Sequence, residues 1–159
     1  MVGTDIIEVS RIEKLINEKG DKFLNRIYTV NEIDYCESKG LNKYQHYAGR
    51  FAAKESTFKA VRAFLRLYPS SIPDPKAANK GIMDMPLKLK DIEIININTE
   101  TGKFSMKGGE PVVCFSQWNK KDSDKNSWAI PYTNETAFIH ISISHIKEYA
   151  IAIACIDRL

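Results

Sequence analysis

The sequence lacks the features of a membrane protein or of a disulfide-rich secreted protein. No apolar run approaches the ~20 residues that a membrane-spanning helix needs, and no signal-peptide pattern is present. Cysteine is scarce: Cys36, Cys114 and Cys155 are odd in number and have no metal-site spacing. We therefore expect a reducing intracellular compartment and three small, buried thiols.

Several common functional motifs are also absent. The chain contains no P-loop, no dinucleotide-binding fingerprint and no Gly-x-Ser-x-Gly elbow, which argues against three large classes of enzyme. Its net charge of +3 is too small to indicate nucleic-acid binding unaided. An acidic partner is compatible with this charge if the basic residues cluster on one face.

The composition is that of one globular domain. Of 159 residues, 43% are apolar and 27% are charged, and this length can enclose a substantial core. No internal repeat and no second domain can be recognised. We expect a single domain over residues 1–159, with a loop insertion at 69–90, where the composition shifts to Pro, Lys, Asn, Gly and Met.

The apolar periodicity predicts an α+β fold, with an antiparallel sheet packed on one long helix and shorter helices outside. Residues 2–9 alternate as a strand, which puts Asp5 on the more apolar face. In the last strand Ala150, Ala152 and Ala154 form a small-residue face, as if something packs closely against it. Further strands are expected at 92–97, 112–118, 138–144 and 150–156.

Two capping boxes predict where the first helices begin. The box at 10–13 places a helix start near Arg11, and the box at 29–32 starts a helix that ends near Gly40. A long helix then runs from about residue 43 to residue 68 and stops before Pro69.

The long helix carries a carboxylate in an unusual place. Phe51, Glu55 and Phe58 share one helical face, and Lys59 follows Glu55 by one turn. A carboxylate on so apolar a face needs a cation, a metal or a proton. The alternative is an ordinary i,i+4 Glu–Lys pair, worth only ~0.2–0.5 kcal/mol.

Three segments together suggest phosphate chemistry. Asp5 and Glu55 provide two carboxylates, a donor set that suits Mg²⁺ beside a substrate phosphate. Lys59 adds a positive charge for a phosphate or a leaving oxygen. The third segment, at the end of a strand, carries hydroxyls and an imidazole: Ser142, Ser144 and His145.

Each of these residues also has a structural interpretation. Asp5 could cap a turn or pair with a buried base, and His145 alone is more often structural than a ligand. His46 and His140 have no ligand-like spacing and are interpreted as structural. The Ser-x-Ser-His pattern could be a nucleophile motif, although no elbow sequence accompanies it.

Four motifs in order resemble those of the holo-acyl-carrier-protein synthase family, the small bacterial-type 4′-phosphopantetheinyl transferases. They frame the whole chain, and the helix motif matches nearly residue for residue, while the segments between align poorly. The matching segments are GTDIIEV at 3–9 with Arg11 and Ile12, FLNRIYT at 23–29 with Glu32, RFAAKESTFKA at 50–60, and ISISH at 141–145 with KEYA at 147–150.

The resemblance implies a reaction and a set of roles. The family moves the phosphopantetheine arm of coenzyme A onto a serine of an apo-acyl carrier protein, releases 3′,5′-ADP and supports fatty acid biosynthesis. By this resemblance Asp5 and Glu55 match the Mg²⁺ ligands, Glu55 helps to deprotonate the serine, and Lys59 lies near the pyrophosphate. The residues matching the coenzyme A site are Arg50, Lys59, Ser142, Ser144 and His145.

The resemblance also implies partners and an assembly. The family forms trimers with active sites between subunits, so Asp5 and Glu55 would act with His145 of a neighbour. Acyl carrier proteins are acidic and would dock on a cluster of basic residues. The residues of this cluster are Arg11, Lys14, Lys22 and Arg26. The alternative is that they form only a solvated basic face. A cytoplasmic location follows, or a plastid or other organelle if an N-terminal leader was removed.

Two departures from the family pattern affect these expectations. The family has a Gly-Thr-Gly-type turn after the helix motif, whereas this chain continues VRAFLRL at 61–67, so the helix should run on. Arg62 or Arg66 could then supply phosphate contacts. Segments 69–90 and 119–134 are longer than is usual in the family.

Two alternatives to the enzyme remain open from the sequence: a coenzyme A-binding module without turnover, and a scaffold for an acidic partner.

Overall fold

A computed structural model describes residues 1–68, 87–98, 100, 101, 103, 105, 106, 108–115 and 137–158. The helices are α1 (Val9–Lys19), α2 (Asp21–Ile27), α3 (Val30–Glu37) and α4 (Lys43–Leu67), with short 3₁₀ turns at Gly40–Asn42 and Leu89–Asp91. The strands are β1 (Val2–Glu8), β2 (Ile92–Ile97), β3 (Glu110–Phe115), β4 (Ala137–His145) and β5 (Tyr149–Arg158). No helix within these residues has the length and apolarity needed to cross a bilayer.

The predicted α+β architecture is confirmed. Strands β1, β5 and β4 form an antiparallel sheet with β5 in the centre, and β2 and β3 form a separate antiparallel pair. The 25-residue α4 packs against the three-stranded sheet, and the buried core extends from this interface to α1, α2, α3 and the β2–β3 pair. One antiparallel sheet was expected from the sequence, and the separate β2–β3 hairpin is the main difference.

A close approach of β1 to α4 sets the position of the site. A Cβ atom on Gly3 would lie 2.0 Å from the Ser56 carbonyl oxygen, so only glycine fits at this crossing. The small-residue face of β5 is buried there as well, with Ala152 and Ala154 at most 1% exposed. The predicted packing against this face is therefore confirmed, and α4 is the element that makes it.

The boundaries of the three predicted helices agree with the sequence except at two ends, and α2 was not predicted. Thr29 and Glu32 form the predicted capping box, whereas the box predicted at 10–13 is wrong. α1 begins directly at Val9, whose N–H donates to the Glu148 carbonyl 2.9 Å away, so the β4–β5 turn serves as the cap. α3 ends at Glu37, and Gly40 begins a 3₁₀ turn instead of closing that helix.

The other local expectations were confirmed, corrected or left untested. α4 continues through Leu67, as the missing glycine turn predicted. Strands at 92–97, 138–144 and 150–156 are confirmed, while the strand expected at 112–118 begins at Glu110 and is described to Phe115. Cys36 and Cys114 are buried as expected, but Cys155 is only half-buried because it lies on the outer face of the sheet. Most of the 69–90 insertion and all of 119–134 lie outside the described residues.

Candidate active site

Asp5 and Lys59 meet where β1 crosses α4. Asp5 occupies the helix-facing side of β1 between buried Gly3 and Ile7, as its alternation predicted. Lys59 Nζ donates to Asp5 Oδ1 at 2.7 Å and to the Thr4 carbonyl oxygen at 2.8 Å. The Asp5 side chain is 16% exposed and that of Lys59 is 48% exposed. The contact is thus accessible to a substrate on its lysine side.

Glu55 shares the electrostatic environment of this pair. It lies half-buried one helical turn before Lys59. Burial raises the pKa of Glu55, the charge of Asp5 raises it further, and Lys59 lowers it. Within the described chain, the carboxylate that forms the ion pair with Lys59 is Asp5. The simple i,i+4 Glu–Lys pair considered from the sequence is therefore wrong.

The two carboxylates form a limited donor set for a metal. Across the described ranges, no group of three or more His, Cys, Asp or Glu residues is placed to hold an ion. Asp5 and Glu55 are close enough for the charge of one to raise the pKa of the other. Two carboxylates completed by waters and substrate oxygens are the usual environment of Mg²⁺, so the residues present fit that ion.

A second group of predicted residues converges at a cavity of about 160 Å³. Arg50 is 4% exposed, donates from Nη2 to Asn96 Oδ1 at 2.8 Å and lies 3.7 Å from the centre of the Tyr35 ring. Its buried Nε has no hydrogen-bond partner in the part of the chain that the structure describes. His145 borders the same cavity, and none of its described lining residues is acidic. Such a lining favours an anion.

His46 is a lining residue that the sequence interpretation missed. Its ring lies 4.9 Å from that of His145 in an edge-to-face arrangement. Burial lowers the pKa of His46 to about 4, with smaller contributions from His145, Arg50 and Lys39. His46 precedes Arg50 by four residues on the long helix and so shares its face. This spacing is the signal by which the sequence could have indicated His46 as a site residue.

Ser142 and Ser144 do not join His145 inside one chain. Residues alternate along β4, so both serines lie exposed on the face opposite the helix, while Ile143 and His145 border the cavity. The two site groups are also apart along α4, because Arg50 precedes Lys59 by nine residues, or about 14 Å of helix rise. One chain thus presents a carboxylate–lysine site and a separate cationic cavity.

The remaining predicted residues lie on the surface or at its edge. The four residues of the basic cluster, Arg11, Lys14, Lys22 and Arg26, are all exposed on α1 and α2, and Lys14 lies 3.8 Å from Glu18. Arg66 is exposed, and the Arg62 guanidinium lies 5.1 Å from the centre of the Phe58 ring. A buried Lys54–Glu32 ion pair was not anticipated, although both residues fall within the quoted motifs.

Comparisons with known proteins identify the family of this chain. The chain is 37% identical over 157 residues to a holo-[acyl-carrier-protein] synthase of Ruminiclostridium cellulolyticum, covering 99% of this chain and 91% of the relative. A second relative of that name, from Thermodesulfovibrio yellowstonii, is 35% identical over 98% of this chain and 96% of its own length.

Solved structures show the same fold. The Helicobacter pylori holo-[acyl-carrier-protein] synthase in complex with coenzyme A superposes with a TM-score of 0.62 at 25% identity, covering 99% of this chain and 100% of that one. The Bacillus anthracis enzyme in complex with CoA (3′,5′-ADP) gives 0.59 at 28% identity, covering 99% and 96%. Because the family model for the 4′-phosphopantetheinyl transferase superfamily matches residues 1–154, this chain belongs to that superfamily.

Proposed function

We propose that this protein transfers the 4′-phosphopantetheine group of coenzyme A to a serine of an apo-acyl carrier protein, in support of fatty acid biosynthesis. The observation that carries the proposal is that Asp5, which is distant in sequence, meets Glu55 and Lys59 at the β1–α4 crossing. The products are holo-acyl carrier protein and 3′,5′-ADP. The full-length relatives named holo-[acyl-carrier-protein] synthase support the same reaction.

Asp5 and Glu55 would hold Mg²⁺. Burial is the main cause of the raised pKa of Glu55, and the negative charge of Asp5 adds to it; a bound cation would offset both. Bound there, the ion would neutralise charge on the pyrophosphate oxygens during transfer. Its binding should be detectable by calorimetry and should be weakened by replacing either carboxylate.

Glu55 and Lys59 have different roles in the transfer: Glu55 takes up a proton, and Lys59 stabilises negative charge. Glu55 accepts the proton of the attacking serine, directly or through a water. The serine oxygen forms a bond to the phosphorus that carries the pantetheine arm, and the bond from that phosphorus to the bridging pyrophosphate oxygen breaks. Lys59, half-exposed beside Asp5, stabilises the negative charge left on the departing 3′,5′-ADP.

The cationic cavity would bind the nucleotide part of the donor. Arg50 and His145 present nitrogen groups to a cavity whose described lining has no competing carboxylate. Ser142 and Ser144, on the outer sheet face, would contact coenzyme A held against a neighbouring subunit.

The carboxylate–lysine site and the cationic cavity are apart within one chain. A homotrimer with active sites between subunits would bring the carboxylate–lysine site of one chain to the cavity of its neighbour. The face of the sheet opposite α4 exposes several large apolar side chains: Val2, Ile6, Tyr149, Ile151 and Ile153. An exposed group of this kind favours burial against another copy of the chain. Sedimentation at micromolar concentration should give about three times the mass of one chain, and a monomer that is fully active would contradict this assembly.

An acidic carrier protein would dock on the exposed basic residues of α1 and α2. Unlike charges on the two surfaces would steer the carrier toward the β1–α4 crossing. The cytoplasmic location, with the organelle alternative, stays a prediction that imaging of the tagged protein in its own cell would test.

One reaction separates the enzyme from its rivals. The protein is mixed with coenzyme A, Mg²⁺ and an apo-carrier protein, and the mass of the carrier is followed. Gain of one phosphopantetheine per carrier is expected. A competent carrier that gains no mass would exclude the enzyme and leave the coenzyme A-binding module or the scaffold, which binding of coenzyme A by calorimetry would then distinguish.

A further inference from the structure

One wall of the cationic cavity is carried by the β2–β3 hairpin. Among the described residues, this hairpin is a two-stranded sheet with no hydrogen-bonded strand partner in the β1–β5–β4 sheet. It contributes Asn96, Gly109 and Pro111 to the cavity, while His46 and His145 come from α4 and β4. β3 packs beside β4, so the width of the cavity depends on that contact and on how the hairpin is attached to α4.

Lys54 of α4 attaches the beginning of the hairpin. Its side chain is fully buried, and Nζ lies 2.6 Å from Glu32 Oε2, 2.6 Å from the Ile92 carbonyl oxygen and 3.1 Å from the Leu89 carbonyl oxygen. These contacts use all three protons of the ammonium group. They also leave Lys54 without a free donor for substrate.

Glu32 of α3 completes this attachment. Oε1 accepts from the Ile94 N–H at 2.9 Å, and Oε2 accepts from the Thr29 N–H at 2.8 Å. Burial raises the pKa of Glu32 and lowers that of Lys54, because both charges are removed from water. Removing one partner would leave the other charge buried and unpaired, which is why the pair resists separation.

Arg50 and Asn96 attach the opposite end of the hairpin. Asn96 accepts from Arg50 at 2.8 Å and donates from Nδ2 to the Gly109 carbonyl oxygen at 2.9 Å, which links β2 to the start of β3. Arg50 and Lys54 are four residues apart on α4, so both reach β2 from one helical face. Two cations of one face thus fix the strand at both ends.

We propose that Lys54 and Glu32 are positioning residues for donor binding, which hold the β2–β3 hairpin so that its cavity wall faces His46 and His145. The inference rests on the proposed function, in which this cavity receives the nucleotide part of coenzyme A. Neither residue touches the reacting atoms. Loosening the hairpin should therefore weaken donor binding and leave the Asp5–Glu55–Lys59 chemistry intact.

The test compares Lys54→Met, Glu32→Gln and the paired Lys54→Met/Glu32→Leu variant with Lys103→Met, which removes an exposed amine from the β2–β3 connection. If circular dichroism shows that the Lys54 and Glu32 variants do not fold, Asn96→Ala, which releases the other end of the β2–β3 hairpin, is used in their place. The readouts are KM and kcat for coenzyme A, the Kd of 3′,5′-ADP by calorimetry, and amide exchange at Ile94.

The expected result is a rise in KM and Kd of about tenfold or more, with kcat within about threefold and faster exchange at Ile94. Lys103→Met should match wild type. Unchanged KM and Kd, or a fall in kcat at constant KM, would overturn the inference. If the wild-type protein transferred no phosphopantetheine, the proposed function would be overturned instead. The Kd of 3′,5′-ADP in the variants would still decide whether Lys54 and Glu32 position the cavity wall.

Discussion

Lys59 on α4 donates a 2.7 Å hydrogen bond to Asp5, which lies 54 positions earlier in the chain on β1. The lysine therefore neutralises the carboxylate that would also hold a divalent cation. A metal at Asp5 and Glu55 would compete with Lys59 for Asp5 and leave the ammonium group available to substrate phosphate.

Replacing Lys59 by glutamine should separate metal binding from transfer. We expect kcat to fall by about a hundredfold, because the leaving group loses its positive partner. Mg²⁺ should bind at least as tightly, because a competing cation is removed. Calorimetry and carrier mass would measure the two effects, with the exposed Lys103→Gln as a control. Undiminished transfer would remove Lys59 from the mechanism.

Glu55→Gln should abolish transfer and preserve the fold. The loss should reach about a hundredfold or more, the usual contribution of a general base. The folded-state pKa of Glu55 is raised, so its ionisation opposes folding progressively as the pH rises through that pKa. The glutamine variant should therefore be at least as stable as wild type at pH 7. Retained transfer would exclude Glu55 from the site.

Gly3→Ala should destabilise the protein through one backbone contact. The new methyl group would lie 2.0 Å from the Ser56 carbonyl oxygen, forcing β1 away from α4. We expect a loss of about 1–3 kcal/mol, measured by urea denaturation. Thr4→Ala, at the exposed neighbouring position, is the matched control. If Gly3→Ala had the stability of wild type, this close approach of β1 to α4 would be wrong.

His46 should make stability depend on pH in the acid range. Its pKa is lowered to about 4 in the folded protein, against about 6.5 for an unperturbed imidazole. As the pH falls from about 6.5 to 4, the unfolded state takes up the proton first and stability declines. Because His46 is partly accessible, we expect an effect of about 1 kcal/mol.

The matched experiment compares His46→Phe with a variant of an exposed imidazole, His140→Gln. Urea denaturation at pH 7 and pH 4.5 should give a smaller loss of stability for His46→Phe than for wild type. An identical loss in the two proteins would show that His46 does not contribute to the pH dependence.

Arg11→Glu should weaken carrier docking. Reversing an exposed charge on α1 should raise the KM for the acidic carrier several-fold at low salt, with little change in the KM for coenzyme A. The difference should shrink as salt rises, because exposed charges are screened. Lys103→Glu is the control, and an equal effect of both variants would contradict docking on α1.

Local features of the fold were predictable because they depend on residues near one another in sequence. The apolar spacing specified α4 from residue 43 onward, and the absence of a glycine turn correctly predicted its continuation through Leu67. Strand alternation placed Asp5 toward the helix, and the Thr29–Glu32 box specified the start of α3. The four motifs also indicated the family, which the comparisons confirmed.

Contacts between distant segments were decided only by the tertiary structure. The sequence put Lys59 one turn from Glu55, but the crossing of β1 over α4 made Asp5 its ion-pair partner. The sequence motif also grouped Ser144 with His145, but adjacent residues of β4 point to opposite faces of the sheet, so the two side chains lie apart. Helix and strand periods are properties of a short segment, whereas a charge pairs with whichever group packing brings near, so the sequence determined the elements and packing determined the site.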